Sequence, residues 1–382
     1  MSGGTAILAV LVGVLGWHYV GYPLVLWAVS SRCGTEPASA DLLPDDDLPP
    51  VSIVIPAHNE ADGIEARLEN LFASDYPTEK LEIIVASDAS TDGTVAIAES
   101  VSPRVTAFNN TPQNKSATRN RGVERASSDI VLFTDVDTRN RPDCLRRLVT
   151  PLTDPDVGAV CGTLVSESFD DGAIGTGMSL YWQWEYFMRR HQSRLGMLVK
   201  SSGAVMGIDQ AYFEPIPDTA DIDQTAGFMT ILRGGKSLYV PKAVATEQFP
   251  TTLSGEFSTR RRLTIRGLTA LWRYRTVFNP LMRPLLTLHT VSYWLLRYLI
   301  PVALLAIAVL TGLLAPSSPL IAAFGGLQVV FYLLAGVGYA AEHYGLNPPL
   351  TSVPFSYSWA SLGVLAGLVA FATGTRVYAY DL

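Results

Sequence analysis

The stretch Asp129-Ile130-Val131-Leu132-Phe133-Thr134-Asp135-Val136-Asp137 drives an apolar strand into two carboxylates spaced i, i+2. Alternate residues of a strand point the same way, so both carboxylates face one side if the strand continues. Unpaired, they repel each other and resist burial. Either a cation joins them or the pair is a solvated strand end, and the surrounding chain decides between the two.

Upstream, two more apolar runs end in polar loops. Val51-Ser-Ile-Val-Ile55 is expected to stop at Pro56, and Leu81-Glu-Ile-Ile-Val85 is halted by Ser87-Asp88-Ala-Ser-Thr-Asp92-Gly93. Helical spacing of Ile64, Leu68, Leu71 and Phe72 separates these strands. A helix from Thr94 to about Ser100, a short strand near Val105 and a helix around 117–126 precede the strand Ile130–Phe133. Continuous apolar strands alternating with helices predict an α/β domain with a mostly parallel sheet covered on both faces. Ligands of such sheets gather at the carboxyl ends of the strands. Asn59, Glu60, Asp88, Asp92, Asp135 and Asp137 all fall there, and a divalent cation bound by one or two carboxylates plus substrate phosphates would balance them. No GxxxxGK[ST] loop or GxGxxG turn marks a P-loop or dinucleotide site.

The 382 residues are 48% hydrophobic, and mean hydropathy is +0.23. The apolar residues collect at the two ends. Residues 5–29 are apolar apart from His18 and lack a basic leader, which predicts a retained transmembrane helix. Further candidates lie near 285–314, 318–341 and 353–374. The first of these is expected to cross from about Arg297 onward, with that arginine snorkelling and Tyr293, Trp294 and Tyr298 at the headgroup level. The chain thus divides into a helix at 1–30, a Pro-rich acidic linker at 31–50, a domain at 51–275 and a membrane region at 276–382. Basic residues crowd before the second span (Arg260, Arg261, Arg262, Arg266, Arg273), which favours a cytoplasmic domain in a multi-pass cell-membrane protein. A net charge of −7 argues against a nucleic-acid partner. Cys33, Cys144 and Cys161 lie far apart and read as free thiols.

Taken in order, Pro56-Ala-His-Asn59-Glu60, Asp75-Tyr-Pro77, Ser87-Asp88 through Asp92-Gly93-Thr94, Lys115, Asn120-Arg-Gly122 and Asp135-Val-Asp137 resemble the inverting family 2 glycosyltransferases. The resemblance continues through Tyr181-Trp182, Glu185, Ser193-Arg-Leu-Gly196 and Ser202-Gly203-Ala204, over roughly 51–275. It implies a GT-A fold flanked by one N-terminal and about three C-terminal transmembrane helices. By that resemblance Ala57, Asn59, Glu60 and Asp88 line the nucleoside pocket, with Lys115 near the nucleotide. Asp137 ligates Mg2+ or Mn2+ bridging the diphosphate, and Asp135 contacts ribose or metal. The family's base is the last Asp of an acidic pair after the Gly-Ala loop. Here Asp223 fits, with Asp221 as the alternative, although Ile222 breaks the usual adjacent acidic pair.

Processive members carry Gln-x-x-Arg-Trp on an interfacial helix, where this chain has Thr259-Arg260-Arg261-Arg262-Leu263. The three arginines could clamp diphosphate oxygens. The missing Gln and Trp argue for single-sugar transfer. The expected partners are therefore a nucleotide-sugar donor, a lipid-linked saccharide, polyprenyl or glycan acceptor, and membrane lipid. The alternatives are a processive polysaccharide synthase or a non-catalytic scaffold that keeps the fold. A pyrophosphorylase lacks its Gly-rich loop here, and four spans with no deep polar pair leave little room for a transport pathway.

Overall fold

The computed structural model describes residues 2–35, 42–111, 114–166, 173–247, 252–346, 348 and 350–377. Much of the expected linker, 36–41, lies outside them.

The chain opens with α1 (Gly3–Gly16) and α2 (Tyr22–Cys33), joined through a π-helical turn into one apolar span. The alternating half follows in the order β1 (Val51–Ala57), α3 (Ala61–Phe72), β2 (Leu81–Asp88), α4 (Thr94–Val101), β3 (Val105–Asn110), α5 (Lys115–Val123) and β4 (Ile130–Phe133). Then come β5 (Arg139–Asn140), α6 (Cys144–Leu152), β6 (Val157–Ser166), α7 (Ala173–Arg194), β7 (Met206–Asp209), α8 (Ile222–Leu232), β8 (Lys236–Glu247) and α9 (Leu253–Arg273). The C-terminal region holds α10 (Pro284–His289), α11 (Leu296–Leu314), α12 (Pro319–His343) and α13 (Ser352–Ala372).

Eight strands form one sheet in the order β3-β2-β1-β4-β7-β6-β8-β5. The first four are parallel, β7 runs antiparallel to β4 and β6, and β8 is parallel to β6. Every residue of β1 and β4 is buried, as a strand covered on both faces requires. One cluster packs Ile53 and Ile55 of β1 against Ile64, Leu68 and Leu71 of α3. On the other face Val54 and Phe133 meet Phe228, Trp294 and Tyr298, which brings helices of the membrane region into the second cluster.

β1 continues through Pro56 to Ala57, two residues past its expected end. Its pairing with β4 stops at Val54, so Pro56 sits where one neighbour has already ended and a ladder N–H is dispensable. β2 likewise runs on to Asp88. Among the described residues, four helical segments are long and apolar enough to cross a membrane: Gly3–Cys33, Pro284–Ser317, Pro319–His343 and Ser352–Ala372. Tyr293 and Trp294 are 1% exposed, and Arg297 pairs with Glu185 at 2.8 Å. Tyr293 and Arg297 hold the second span against α7, Trp294 stacks on Phe228 of α8, and they do not form a headgroup belt or a snorkelling arginine. The reason is Glu185: a carboxylate buried to 1% exposure needs cationic partners more than Arg297 needs the interface.

Candidate functional site

Two loops at the carboxyl edge are stitched to each other before any ligand arrives. Asp92 accepts from the backbone N–H of Ala61 and Thr94, Thr94 Oγ1 accepts from Glu60 N–H, and Asn59 Oδ1 accepts from Thr91 N–H. Asn59 and Ala89 adopt left-handed backbone to make these turns, with φ of 54° and 57°. His58 Nδ1 lies 2.6 Å from the Asp88 carbonyl, so this imidazole braces the same loops. Asp88 itself is buried at the end of β2 beside them. The candidate nucleoside-pocket residues Ala57, Asn59, Glu60 and Asp88 thus share one rigid corner.

Next to that corner, Lys115 Nζ meets Asp135 Oδ2 at 2.8 Å, and Arg119 Nη2 meets Asp135 Oδ1 at 2.8 Å. Lys115 and Arg119 are one turn apart on α5, so both reach the same carboxylate. Burial would push the Asp135 carboxyl up, but Lys115 and Arg119 pull it below its ordinary value. Arg67, fully buried on α3, donates to Thr134 Oγ1 at 2.5 Å and pins the loop from behind.

Asp137 is different. Burial and the neighbouring Asp135 raise its carboxyl above the ordinary value. Glu60 is raised by burial and by Asp137, and Glu247, at the end of β8, is pushed up to about 8 by burial and by Asp137 and Asp135. Glu247 escaped the sequence reading because β8 and its pairing with β5, Arg139 opposite Thr246, were not foreseen. Among the described residues, no group of three or more His, Cys, Asp or Glu is spaced to enclose a metal alone. The Asp137 charge raises the carboxyls of both Glu60 and Glu247, a concentration of negative charge that a cation would relieve.

Arg119 also reaches the opposite wall. Its Nη1 pairs with Asp221 Oδ1, while Arg266 Nη1 on α9 takes Asp221 Oδ2 at 3.0 Å. Gly203 leaves room for this guanidinium: a Cβ there would sit 3.2 Å from Arg119 Nη2. Asp221 caps α8 by accepting from Ile222 N–H at 2.8 Å. Burial opposes its ionisation, but Arg119 and Arg266 hold its carboxyl below the ordinary value. Asp223, one turn of chain away, goes the other way. Burial and the Asp221 charge raise its carboxyl, against weaker pulls from Lys200, Arg119 and Arg266. Its Oδ1 is buried and has no hydrogen-bond partner among the described residues. Of the two candidate bases, Asp221 has both oxygens occupied by arginines, and Asp223 keeps one available.

The basic triplet on α9 divides. Arg262 lies close enough to Asp221 and Asp223 to feel both charges. Arg260 turns toward Glu256, at 2.6 Å, and the Tyr181 ring, while Arg261 lines a pocket with Leu362 and Ala366 of α13. Arg266, four residues past Arg262, takes the site-facing position that the motif-based reading did not assign.

A family model described as glycosyl transferase family 2 matches residues 52–214. An N-acetylglucosaminyltransferase of Rhizobium sp. (strain N33) is 27% identical over 312 residues, covering 72% of this chain and 69% of that protein. A poly-beta-1,6-N-acetyl-D-glucosamine synthase of Staphylococcus aureus (strain MSSA476) is 29% identical over 240 residues, 60% of this chain and 57% of its own length. Among solved structures, a mannosyltransferase from Pyrobaculum calidifontis in complex with GDP-Man and Mn2+ matches with a TM-score of 0.70 at 21% identity. That match covers 96% of this chain and 99% of the other, a likeness of fold across the catalytic and membrane parts together. Residues 52–214 thus form a glycosyl transferase family 2 domain, nearly the whole chain shares the fold of that mannosyltransferase, and its flanks carry helices long and apolar enough to cross a membrane.

Proposed function

We propose that the protein transfers one sugar, with inversion, from a nucleotide-sugar to a hydroxyl of a lipid-linked saccharide at the cytoplasmic face. The observation that carries this reading is Asp223: a half-buried carboxylate with a raised proton affinity and a buried, unpartnered Oδ1, beside an Asp221 already neutralised by two arginines. A phosphate acceptor is already ionised and needs no base, whereas a hydroxyl does. The acceptor oxygen forms its bond to the anomeric carbon as the bond from that carbon to the diphosphate breaks. The acceptor proton passes to Asp223, and the nucleoside diphosphate leaves on the opposite face.

Lys115, Arg119 and the rigid Asn59–Asp92 corner orient the donor. Asp137, with Glu247 and Glu60 beside it, supplies the oxygens for Mg2+ or Mn2+, and Asp135 is held by Lys115 and Arg119 at its side. Such a cation offsets charge on the departing diphosphate without proton transfer. The Mn2+ named with the Pyrobaculum mannosyltransferase supports the choice of a divalent ion. The arginines clustered on α9 before the second span support the cytoplasmic orientation.

A processive synthase is the second reading, favoured by the staphylococcal relative. Thr259 and Leu263 stand where processive members carry Gln and Trp, which supports single addition. The test is release of nucleoside diphosphate from a panel of nucleotide-sugars by the full chain in lipid, with Mn2+ and a membrane lipid extract. One sugar added per lipid, with release lost in Asp137→Ala and Asp223→Asn, is expected. A lengthening polymer establishes the second reading instead.

A further inference from the structure

Where α7, α9, α11 and α13 meet the N-terminal span, they enclose a cavity of about 330 Å3. The charged and aromatic lining, Glu256, Arg260, Tyr181 and Trp184, comes from α7 and α9, and the spans contribute Arg297 with the apolar Ile300, Val353 and Val364. A second cavity of about 190 Å3 shares Pro301, Tyr357 and Ser361 with it and carries the apolar lining on to Leu304, Leu305 and Leu362. The two make a track that is polar beside the catalytic domain and oily between the spans.

The polar end is cationic in balance. Arg297 meets Glu185 Oε2 at 2.8 Å and donates to Tyr181 Oη at 3.2 Å, and Arg189 meets the same Glu185 at 3.2 Å. Arg260 meets Glu256 at 2.6 Å, with its guanidinium 4.8 Å from the Tyr181 ring centre. Lys200 adds its charge to Glu185 and Tyr181. In the cavity lining itself, Arg260 and Arg297 outnumber Glu256 among the described residues. Desolvated guanidiniums in excess of carboxylates favour an anion, and phosphate oxygens match their geometry. Lys200 also acts on Asp223, and Ser201 beside it donates its backbone N–H to the Asp223 carbonyl at 2.9 Å. Lys200 thus lies within electrostatic reach of both the Glu185–Tyr181 cluster and the proposed base.

We propose that this track is the acceptor site: it takes a lipid phosphate, with the phosphate between Arg260 and Arg297, the hydrocarbon along the spans and the attached sugar presented to Asp223. This rests on the proposed glycosyl transfer to a lipid-linked saccharide. The test measures farnesyl phosphate binding to the full chain in phosphatidylcholine nanodiscs by quenching of its tryptophans, two of which, Trp184 and Trp359, line the cavity. Farnesol, inorganic phosphate and phosphatidylglycerol are the comparison ligands. Ala360→Phe fills the cavity without touching a charge, and Arg260→Gln removes one cation.

Saturable binding of farnesyl phosphate, weakened at least about tenfold in each variant and for farnesol and inorganic phosphate, supports the assignment. Nucleoside diphosphate binding retained by Ala360→Phe shows that this variant is folded. Equal affinity in both variants overturns the assignment, as does farnesol or phosphatidylglycerol binding as tightly as farnesyl phosphate. The readout needs no turnover, so absence of nucleotide-sugar turnover defeats the functional reading separately from lipid binding.

Discussion

Arg119 Nη1 pairs with Asp221 on α8, and the other amino group of the same guanidinium lies 2.8 Å from Asp135 on the loop after β4. A single side chain, 1% exposed, therefore ties the candidate donor-binding loop to the helix that carries Asp223. Arg266 extends the chain of charges to α9, the helix that packs on the membrane region. In the proposed mechanism this strut aligns donor and base.

Activity is expected to rise with pH through an acid limb set by Asp223, which accepts a proton only when ionised. Burial and the Asp221 charge raise its pKa, so the limb lies above the ordinary carboxylate range. Asp221→Asn removes the like charge and moves the limb to lower pH, whereas Arg119→Gln moves it to higher pH, each by roughly one unit. A kcat/KM–pH profile checks both signs. A strut with a purely structural role would lower the plateau and leave the limb in place.

Removal of divalent cation, or Asp137→Ala, is expected to lower donor turnover by about a hundredfold or more, the scale of losing one stabiliser of developing charge. Turnover assayed with chelator and with Mn2+ restored separates the two cases: wild type recovers, and the variant does not.

Glu247 carries a pKa of about 8 in the folded, metal-free chain, above its value when unfolded. An acid raised on folding costs stability that grows as pH rises from the unfolded pKa to the folded one, and the cost is constant above that. In chelator, Glu247→Gln is therefore expected to melt above wild type by a margin that widens from about pH 4 to pH 8 and then holds. Thermal unfolding at pH 5, 7 and 9 checks it, and added Mn2+ is expected to narrow the margin.

Glu185→Ala strips buried Arg189 and half-buried Arg297 of their shared carboxylate. Breaking such a buried pair costs about 3–5 kcal/mol. A large fall in thermal midpoint, with Glu185→Gln intermediate, is the expected result, and an unchanged midpoint would show the cluster to be solvated.

The parallel half of the sheet was legible because each strand there is an uninterrupted apolar run ending in acidic or amide residues. Ile130–Phe133 in particular has the expected bounds. The other half was not. β7 has four residues, β5 has two, and β8 is broken by Pro241 and Lys242, so no period announces them. With β8 went Glu247. Arg266 was missed for a related reason: the motif drew attention to residues 260–262, while helical geometry lets Arg266, one turn past Arg262, reach Asp221. Tyr293 and Trp294 looked like interface aromatics because sequence cannot tell a lipid-facing ring from one buried against α7 or α8.

The most direct test of the central claim is the anomeric configuration of the product. The full chain in lipid, given Mn2+, a lipid-linked saccharide and an α-configured nucleotide-sugar, is expected to form a β linkage, read by NMR of the released glycan. Asp223→Asn should form none while still binding the donor. An α linkage, or β product at wild-type rate from Asp223→Asn, would contradict a single displacement driven by that carboxylate.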